Sequence, residues 1–518
     1  WFITGRKGRT YRVLAMPHNR PNILLIQADQ LKPQVLSSYG GLAVTPYLDQ
    51  LADQGVVFEN AYCNFPLCAP SRFSMLSGML PSRIGAFDNG AEYLAQIPTV
   101  AHYLRLAGYR TCLSGKQHFV GPDMLHGFHE RLVPELYPTD FSWTPSWDEV
   151  RMISNNNSSG VTRAGICARS VQMDHDEAVL YRAKAKLHDY ARIKGQPFFL
   201  VASFTHPHEP YFALQKYWDR YRHDDIPMPI TELQPEDKRE VHTQRMLHHH
   251  SLIDGDINNA HIRIARHGYL SNVSYFDDMV GDLIATLEQA GLLDNTMIVV
   301  TSDHGDMLGE HGLWFKKHFF DHCSRVPMIV HAPRHFSSGR SLNNVSLVDL
   351  LPTLCEFADF NVAERAPQPL DGTSLLPQCE HPDARDERPV FAEITSEGVP
   401  APMLMVRDGQ FKLIKGGQAP AVLYDLKKDP QEQNNVAEQA SLLDVRERLE
   451  NLALSCWDYD SLEEDIRLSQ RRRRLVQAAH EVGDPPVWDS QPEDPTLPWI
   501  HRGPEEYNDW AWLGITKQ

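Results

Sequence analysis

Apolar residues fall along this chain in two recurring patterns. The first is a short unbroken run, as in Asn22-Ile-Leu-Leu-Ile-Gln27, Val56-Val-Phe-Glu-Asn-Ala-Tyr62, Phe198-Phe-Leu-Val-Ala-Ser203 and Thr296-Met-Ile-Val-Val-Thr301, with a shorter one over 109–113. Such runs predict strands buried on both faces. The second is a helical stripe. Thr45 is the predicted N-cap of a helix that begins at Pro46, buries Leu48, Leu51 and Ala52, and ends at Gly55. Val100, Leu104 and Ala107 form a stripe that Gly108 stops. Phe276, Met279, Val280, Leu283 and Leu287 share one face of a helix over 275–290, closed by Gly291.

Strands alternating with amphipathic helices predict an α/β fold: a large, mostly parallel sheet sandwiched by helices. Polar clusters stand just past the predicted strands. They are Asp29-Gln30, Gly115-Lys116-Gln117-His118, Thr205-His206-Pro207-His208-Glu209-Pro210 and Asp303-His304-Gly305-Asp306. Open α/β sheets bind ligands at such strand ends.

The pattern changes after a polar stretch at 380–388. Residues 403–407 and 410–415 read as a hairpin turning at Asp408-Gly409, 421–426 as a third strand, and 440–454 as a helix. The expected division is a catalytic domain over 1–385, a small antiparallel subdomain over 386–460 and a tail over 461–518. In the tail, a helix runs from Leu462 through Arg471 to Arg474, followed by an irregular stretch with Trp488, Asp489, Pro492 and Trp499. Exposed tryptophans in such a tail suggest contacts in a homo-oligomer, a dimer or tetramer. Residues 155–160 and 222–268 read as insertions, with His248-His249-His250 on a solvated face.

Composition narrows the function. With 518 residues and 42% hydrophobic content, the chain can bury a sizeable core. Its net charge of −17 argues against nucleic acid or an anionic membrane as partner. An anion pocket must therefore be made positive locally. The eight cysteines contain no CxxC pair and fit reduced thiols. Residues 1–20 are basic without a long apolar run, so they read as neither signal peptide nor anchor, and a cytoplasmic location is expected.

One string carries chemistry of its own: Leu67-Cys68-Ala69-Pro70-Ser71-Arg72-Phe73-Ser74-Met75-Leu76-Ser77-Gly78. It predicts a short helix with Cys68 at its positive end and Arg72 one turn later. Cys-x-Pro-Ser-Arg followed by Leu-Ser-Gly resembles the signature of the sulfatases, members of the alkaline phosphatase superfamily. The resemblance implies that a formylglycine-generating or equivalent maturase oxidises Cys68 to formylglycine, whose hydrated aldehyde is the nucleophile. By spacing alone, Asp29 and Asp303 could share a cation. The resemblance implies Asp29, Gln30, Cys68, Asp303 and His304 as ligands of one divalent metal. Calcium is the first choice, with manganese or magnesium as alternatives. Gln30 stands where many sulfatases carry a second Asp, and His304 where many carry Asn. Carried over the same way, the catalytic set is Cys68, Arg72, Lys116, His118, His206 and Lys316.

Longer segments resemble the choline sulfatases within that family: Ala61-Tyr-Cys-Asn-Phe-Pro-Leu-Cys-Ala-Pro-Ser-Arg72, Phe87-Asp88-Asn89, His118-Phe-Val-Gly-Pro-Asp123, the run Ile466 to Arg474, and Trp488-Asp489. A quaternary ammonium offers no hydrogen bonds, so it requires aromatic faces and a carboxylate. The matching positions are Asn89, Trp143 and Glu397. The expected activity is hydrolysis of a small sulfate ester, choline sulfate first. The rivals are a phosphonate or phosphate monoester hydrolase of the same superfamily, and a protein with unmodified Cys68 that binds the ester without cleaving it.

Overall fold

The computed structural model describes residues 2–4, 10–12, 20–149, 156–193, 195–253, 257–417, 419–483, 488 and 515–516. Asn155, Asp489, Pro492, Trp499 and most of residues 1–20 lie outside the described residues.

The large sheet contains β1 (Asn22–Asp29), β2 (Val56–Tyr62), β3 (Arg110–Gly115), β4 (Glu130–Arg131), β5 (Phe198–Pro207), β6 (Thr296–Ser302), β7 (Arg325–Val326), β8 (Met328–His331) and β9 (Gly339–Ser346). From one edge the order is β7, β2, β8, β6, β1, β5, β3, β4, and β9 also pairs with β2. β1 lies between β5 and β6 and is parallel to both, with Ile26 opposite Ala202 and Val300. Only β7 and β8 pair antiparallel with their neighbours.

The unbroken apolar runs are explained by this central position. Leu24, Ile26, Leu200, Ala202, Ile298 and Val300 enter one core, and Ile23, Leu25, Phe199, Val201, Met297 and Val299 the other. Side chains of successive strand residues point to opposite faces, so a strand covered on both sides is apolar along most of its length. The first core receives α1 (Pro46–Gln54), α4 (Val171–Arg192) and α6 (Asn259–Gln289); the second receives α2 (Cys68–Ser77) and α3 (Val100–Leu106).

Two local expectations change. Thr45 precedes α1 but makes no side-chain cap; Asp277, reaching over from α6, accepts from the N–H groups of Tyr47 and Leu48 at 3.2 and 2.8 Å. α6 also begins at Asn259, some four turns before the apolar stripe of 275–290. Its first half buries His267, Tyr269, Ser271 and Asn272, so a hydrophobic period does not reveal it.

The small sheet is an antiparallel meander of β10 (Val390–Ile394), β11 (Met403–Asp408), β12 (Phe411–Gly416) and β13 (Val422–Asp425). α5 (Val241–His249) falls in the His-rich insertion, and α7 (Leu443–Cys456) and α8 (Tyr459–His480) follow the small sheet. All eight cysteines are unpaired. Among the described residues, no helix is long and apolar enough to cross a membrane.

Candidate active site

β1, β2, β3, β5 and β6 run in one direction, which brings their C-terminal ends to one edge of the sheet. Asp29, Lys116, His208 and Asp303 meet there, and the loop after β2 delivers Cys68. α2 starts at Cys68 without a cap from Leu67; instead Asn89 Oδ1 accepts from Ala69 N at 2.9 Å. Gly78, at φ +68°, ends the helix as expected.

Cys68 Sγ lies 3.3 Å from His304 Nε2 and 4.0 Å from Asp29 Oδ1. One donor atom each from Asp29, Cys68, Asp303 and His304 falls within 4.8 Å of all the others. His304 Nδ1 donates to Gly305 O at 3.0 Å, which leaves Nε2 as a lone pair facing this group. Two carboxylates, an imidazole nitrogen and the side chain of residue 68 suit a divalent cation. Arg72 locks the carboxylates: Nε donates to Asp303 at 2.8 Å and Nη2 to Asp29 at 3.0 Å. Its Nη1 donates to Lys116 O and Ser203 Oγ, both at 2.8 Å. Arg72 is thus spent on holding the site's frame.

Lys116 forms an ion pair with Asp29, and its ammonium lies 4.2 Å from the ring centroid of Tyr137. Burial alone would raise the Asp29 carboxyl, but the charges of Lys116 and Arg72 hold it well below its ordinary range. Burial, with Asp29 alongside, pushes the Cys68 thiol up to about 11, so an unmodified Cys68 is protonated at neutral pH.

A narrow cleft opens beside Cys68. Asn89, His118, Lys316 and Glu397 line it, as expected. Tyr137, Asn156 and His208 also line it. Trp143 is the lining residue that is partly exposed. His118 adopts φ +63° and stacks on Tyr137 with centroids 5.1 Å apart; neither ring nitrogen has a hydrogen-bond partner among the described residues. Burial, then Lys116 and Arg72, hold His118 far below its ordinary pKa, so it is neutral.

Two expected residues sit elsewhere. Gln30 is outside the four-donor group: its Oε1 accepts from Lys316 Nζ at 2.7 Å, and its Nε2 donates to Glu209 and Asp306, both at 2.6 Å. A φ of +65° turns it toward these partners. His206 is absent from the cavity wall. Its Nδ1 and its backbone N bind Asp176 of α4 at 2.7 and 3.0 Å, and Tyr275 closes over the ring. His208 takes the place at the wall, accepting at Nε2 from Lys316 Nζ at 2.5 Å while Nδ1 donates to Glu209 O. His208→Gln is expected to lower kcat by about 10²–10⁴-fold with little change in unfolding midpoint. His206→Gln should instead cost about 1–3 kcal/mol of stability by stripping partners from Asp176, with the smaller effect on kcat. The reverse ranking would restore His206 to the chemistry.

Glu397 reaches the cavity from the loop after β10, at φ +28°. It forms an ion pair with Lys317, which also donates to His249 at 3.5 Å. His248 is exposed, but His249 and His250 turn inward rather than toward solvent. His250 is fully buried, with Nδ1 3.1 Å from Asn156 O, and His242 Nε2 donates to Lys317 O at 2.7 Å. α5 backs the cavity. Sequence reasoning passed over Tyr137, Asn156, His208 and Lys317. His208 lay in a cluster already singled out, but the other three carry no motif signal.

A family profile described as Sulfatase matches residues 21–360, and one described as N-sulphoglucosamine sulphohydrolase, C-terminal, matches 309–456. The chain belongs to the sulfatase family and is a sulfuric ester hydrolase. Among relatives, a choline-sulfatase of Rhizobium meliloti is 39% identical over 492 residues, covering 92% of this chain and 94% of that protein. An arylsulfatase of Clostridium perfringens is 26% identical, covering 80% and 90%. The crystal structure of a phosphonate monoester hydrolase of Agrobacterium radiobacter superposes with a TM-score of 0.66 at 24% identity, covering 84% of this chain and 95% of that one; it shares the fold.

Proposed function

We propose that this sulfatase cleaves choline sulfate to choline and sulfate, with Cys68 converted to formylglycine and one divalent cation held by Asp29, Asp303, His304 and residue 68. The observation that carries the reading is a cleft with two unlike ends. At one end stand Cys68, Lys316 and the four-donor group; at the other stand Trp143, Tyr137 and the Glu397 carboxylate. The first end suits a sulfate and the second a methylated cation. The likeness to a named choline-sulfatase supports the same assignment.

When bound, the cation supplies positive charge to the sulfate oxygens, and formylglycine supplies a nucleophilic hydroxyl. The chain's own residues do the rest. Arg72 holds Asp29 and Asp303 in place. Lys116 adds charge beside Asp29. Lys316, hydrogen-bonded to His208 and Gln30, is the proton donor for the departing choline oxygen. Neutral His118 can accept a proton from a hydroxyl on residue 68. Walls buried on nearly every side exclude water and strengthen each of these interactions.

The test compares three compounds on the purified enzyme. Ethyl sulfate is choline sulfate without its trimethylammonium head, and phosphocholine keeps the head but changes the reacting group. Choline sulfate should exceed both in kcat/KM by roughly 100-fold. Intact mass should fall below that of the unmodified chain. Equal rates on the two sulfates would remove choline from the reading. Preference for phosphocholine would make the protein a phosphoryl-group hydrolase. An unmodified mass together with full turnover would remove formylglycine.

A further inference from the structure

We infer that Arg473, on the C-terminal helix α8, is a positioning residue that clamps together the two walls of the leaving-group end of the cavity. This rests on the reading that Asn89 and Trp143 receive the leaving group. Leu462, Ile466, Gln470 and Arg473 are the buried residues of α8, spaced to share one face of a helix. The first two are ordinary core residues. The last two are polar, and their partners are loops of the catalytic site.

Arg473 reaches both walls at once. Its Nη1 and Nη2 donate to Asp88 Oδ1 and Oδ2 at 2.6 and 2.7 Å, and Nη1 also donates to Thr144 Oγ1 at 3.2 Å. Asp88 precedes Asn89, whose Oδ1 holds the start of α2 at Ala69. Thr144 follows Trp143. The walls touch where Gly90 passes: a Cβ there would lie 2.8 Å from Trp143 C and Thr144 N. Two glutamines on α8 extend the grip. Gln477 accepts from Phe141 N at 3.1 Å and Gln470 from Trp147 N at 2.9 Å, on either side of Trp143.

A bidentate guanidinium–carboxylate pair buried this deeply has one well-defined geometry. It fixes the distance between Asn89 and the Trp143 indole, and so the width of the slot for the leaving group. Its neighbours Arg467, Arg471 and Arg474 make exposed ion pairs with Asp148 and Glu149, which hold the same loop more loosely. Arg473 thus works on the site while Arg467, Arg471 and Arg474 hold its rim.

Arg473→Met tests this in the full-length, metal-replete enzyme. KM for choline sulfate should rise about ten- to hundredfold with a smaller change in kcat, and the loss on ethyl sulfate should be at least about tenfold smaller. Amide hydrogen exchange over 86–91 and 141–147 should quicken at least about tenfold while β1, β5 and β6 keep their protection. Equal losses on both esters, or exchange unchanged in both segments, would overturn the clamp. The exchange readout needs no substrate, so it decides the clamp even if the wild-type enzyme shows no preference for choline sulfate, a result that would sink only the substrate assignment. If Arg473→Met does not fold, Gln477→Ala decides: faster exchange over 141–147 supports the clamp, and unchanged exchange there overturns it.

Discussion

Cys68→Ala is expected to abolish turnover, by at least about 10⁴-fold in kcat, in a protein that folds and remains about as stable as wild type. The residue is buried at the first position of α2, and alanine suits a helix start flanked by Asn89. Loss of one sulfur atom leaves a small void worth about 1 kcal/mol. No other side chain at the cavity is placed to attack. Lys316 and Lys116 are already engaged by His208, Gln30 and Asp29, and His118 is stacked on Tyr137. The check is steady-state turnover beside a denaturant melt. Activity within tenfold of wild type would remove Cys68 from the chemistry, whatever its modification state.

Arg72→Met should be the most destabilising single change at the site. The guanidinium lies between two carboxylates, and all three groups have no solvent exposure. Methionine fills similar volume but leaves Asp29 and Asp303 facing each other across an uncharged gap. Removing one partner from a buried ion pair costs about 3–5 kcal/mol, and here one cation serves two anions. Nη1 also ties the ends of β3 and β5 through Lys116 O and Ser203 Oγ, so the damage should spread to the position of Lys116. Denaturant unfolding should show the loss, and turnover should fall with it. A stability change under about 1 kcal/mol would mean that another cation compensates the carboxylates.

Much of the site was legible because its residues sit where strands end. β1, β5 and β6 are unbroken apolar runs, and each hands over to a polar cluster within a residue or two. A parallel sheet must gather those clusters at one edge, so Asp29 and Asp303 could be placed together in advance, while Cys68 and His304 joined them through the resemblance. Gln30 and His206 face other partners for a shared reason. Each is adjacent, or nearly so, to a correctly placed residue, and what separates the members of each pair is backbone direction. Gln30 turns at a left-handed φ, and Asp176, from a helix far away in sequence, captures His206.

What the sequence determined by itself was the α/β architecture, the signature helix, and the types of residue available at the strand ends, because burial on both faces dictates composition locally. The tertiary structure decided which member of each polar cluster faces the reaction. It decided that Lys317 and the histidines of α5 stand behind Glu397, and that an arginine near the end of the chain grips loops more than 300 residues earlier. Those contacts join positions far apart along the chain through side-chain geometry, and neither spacing nor hydrophobic period encodes a direction in space.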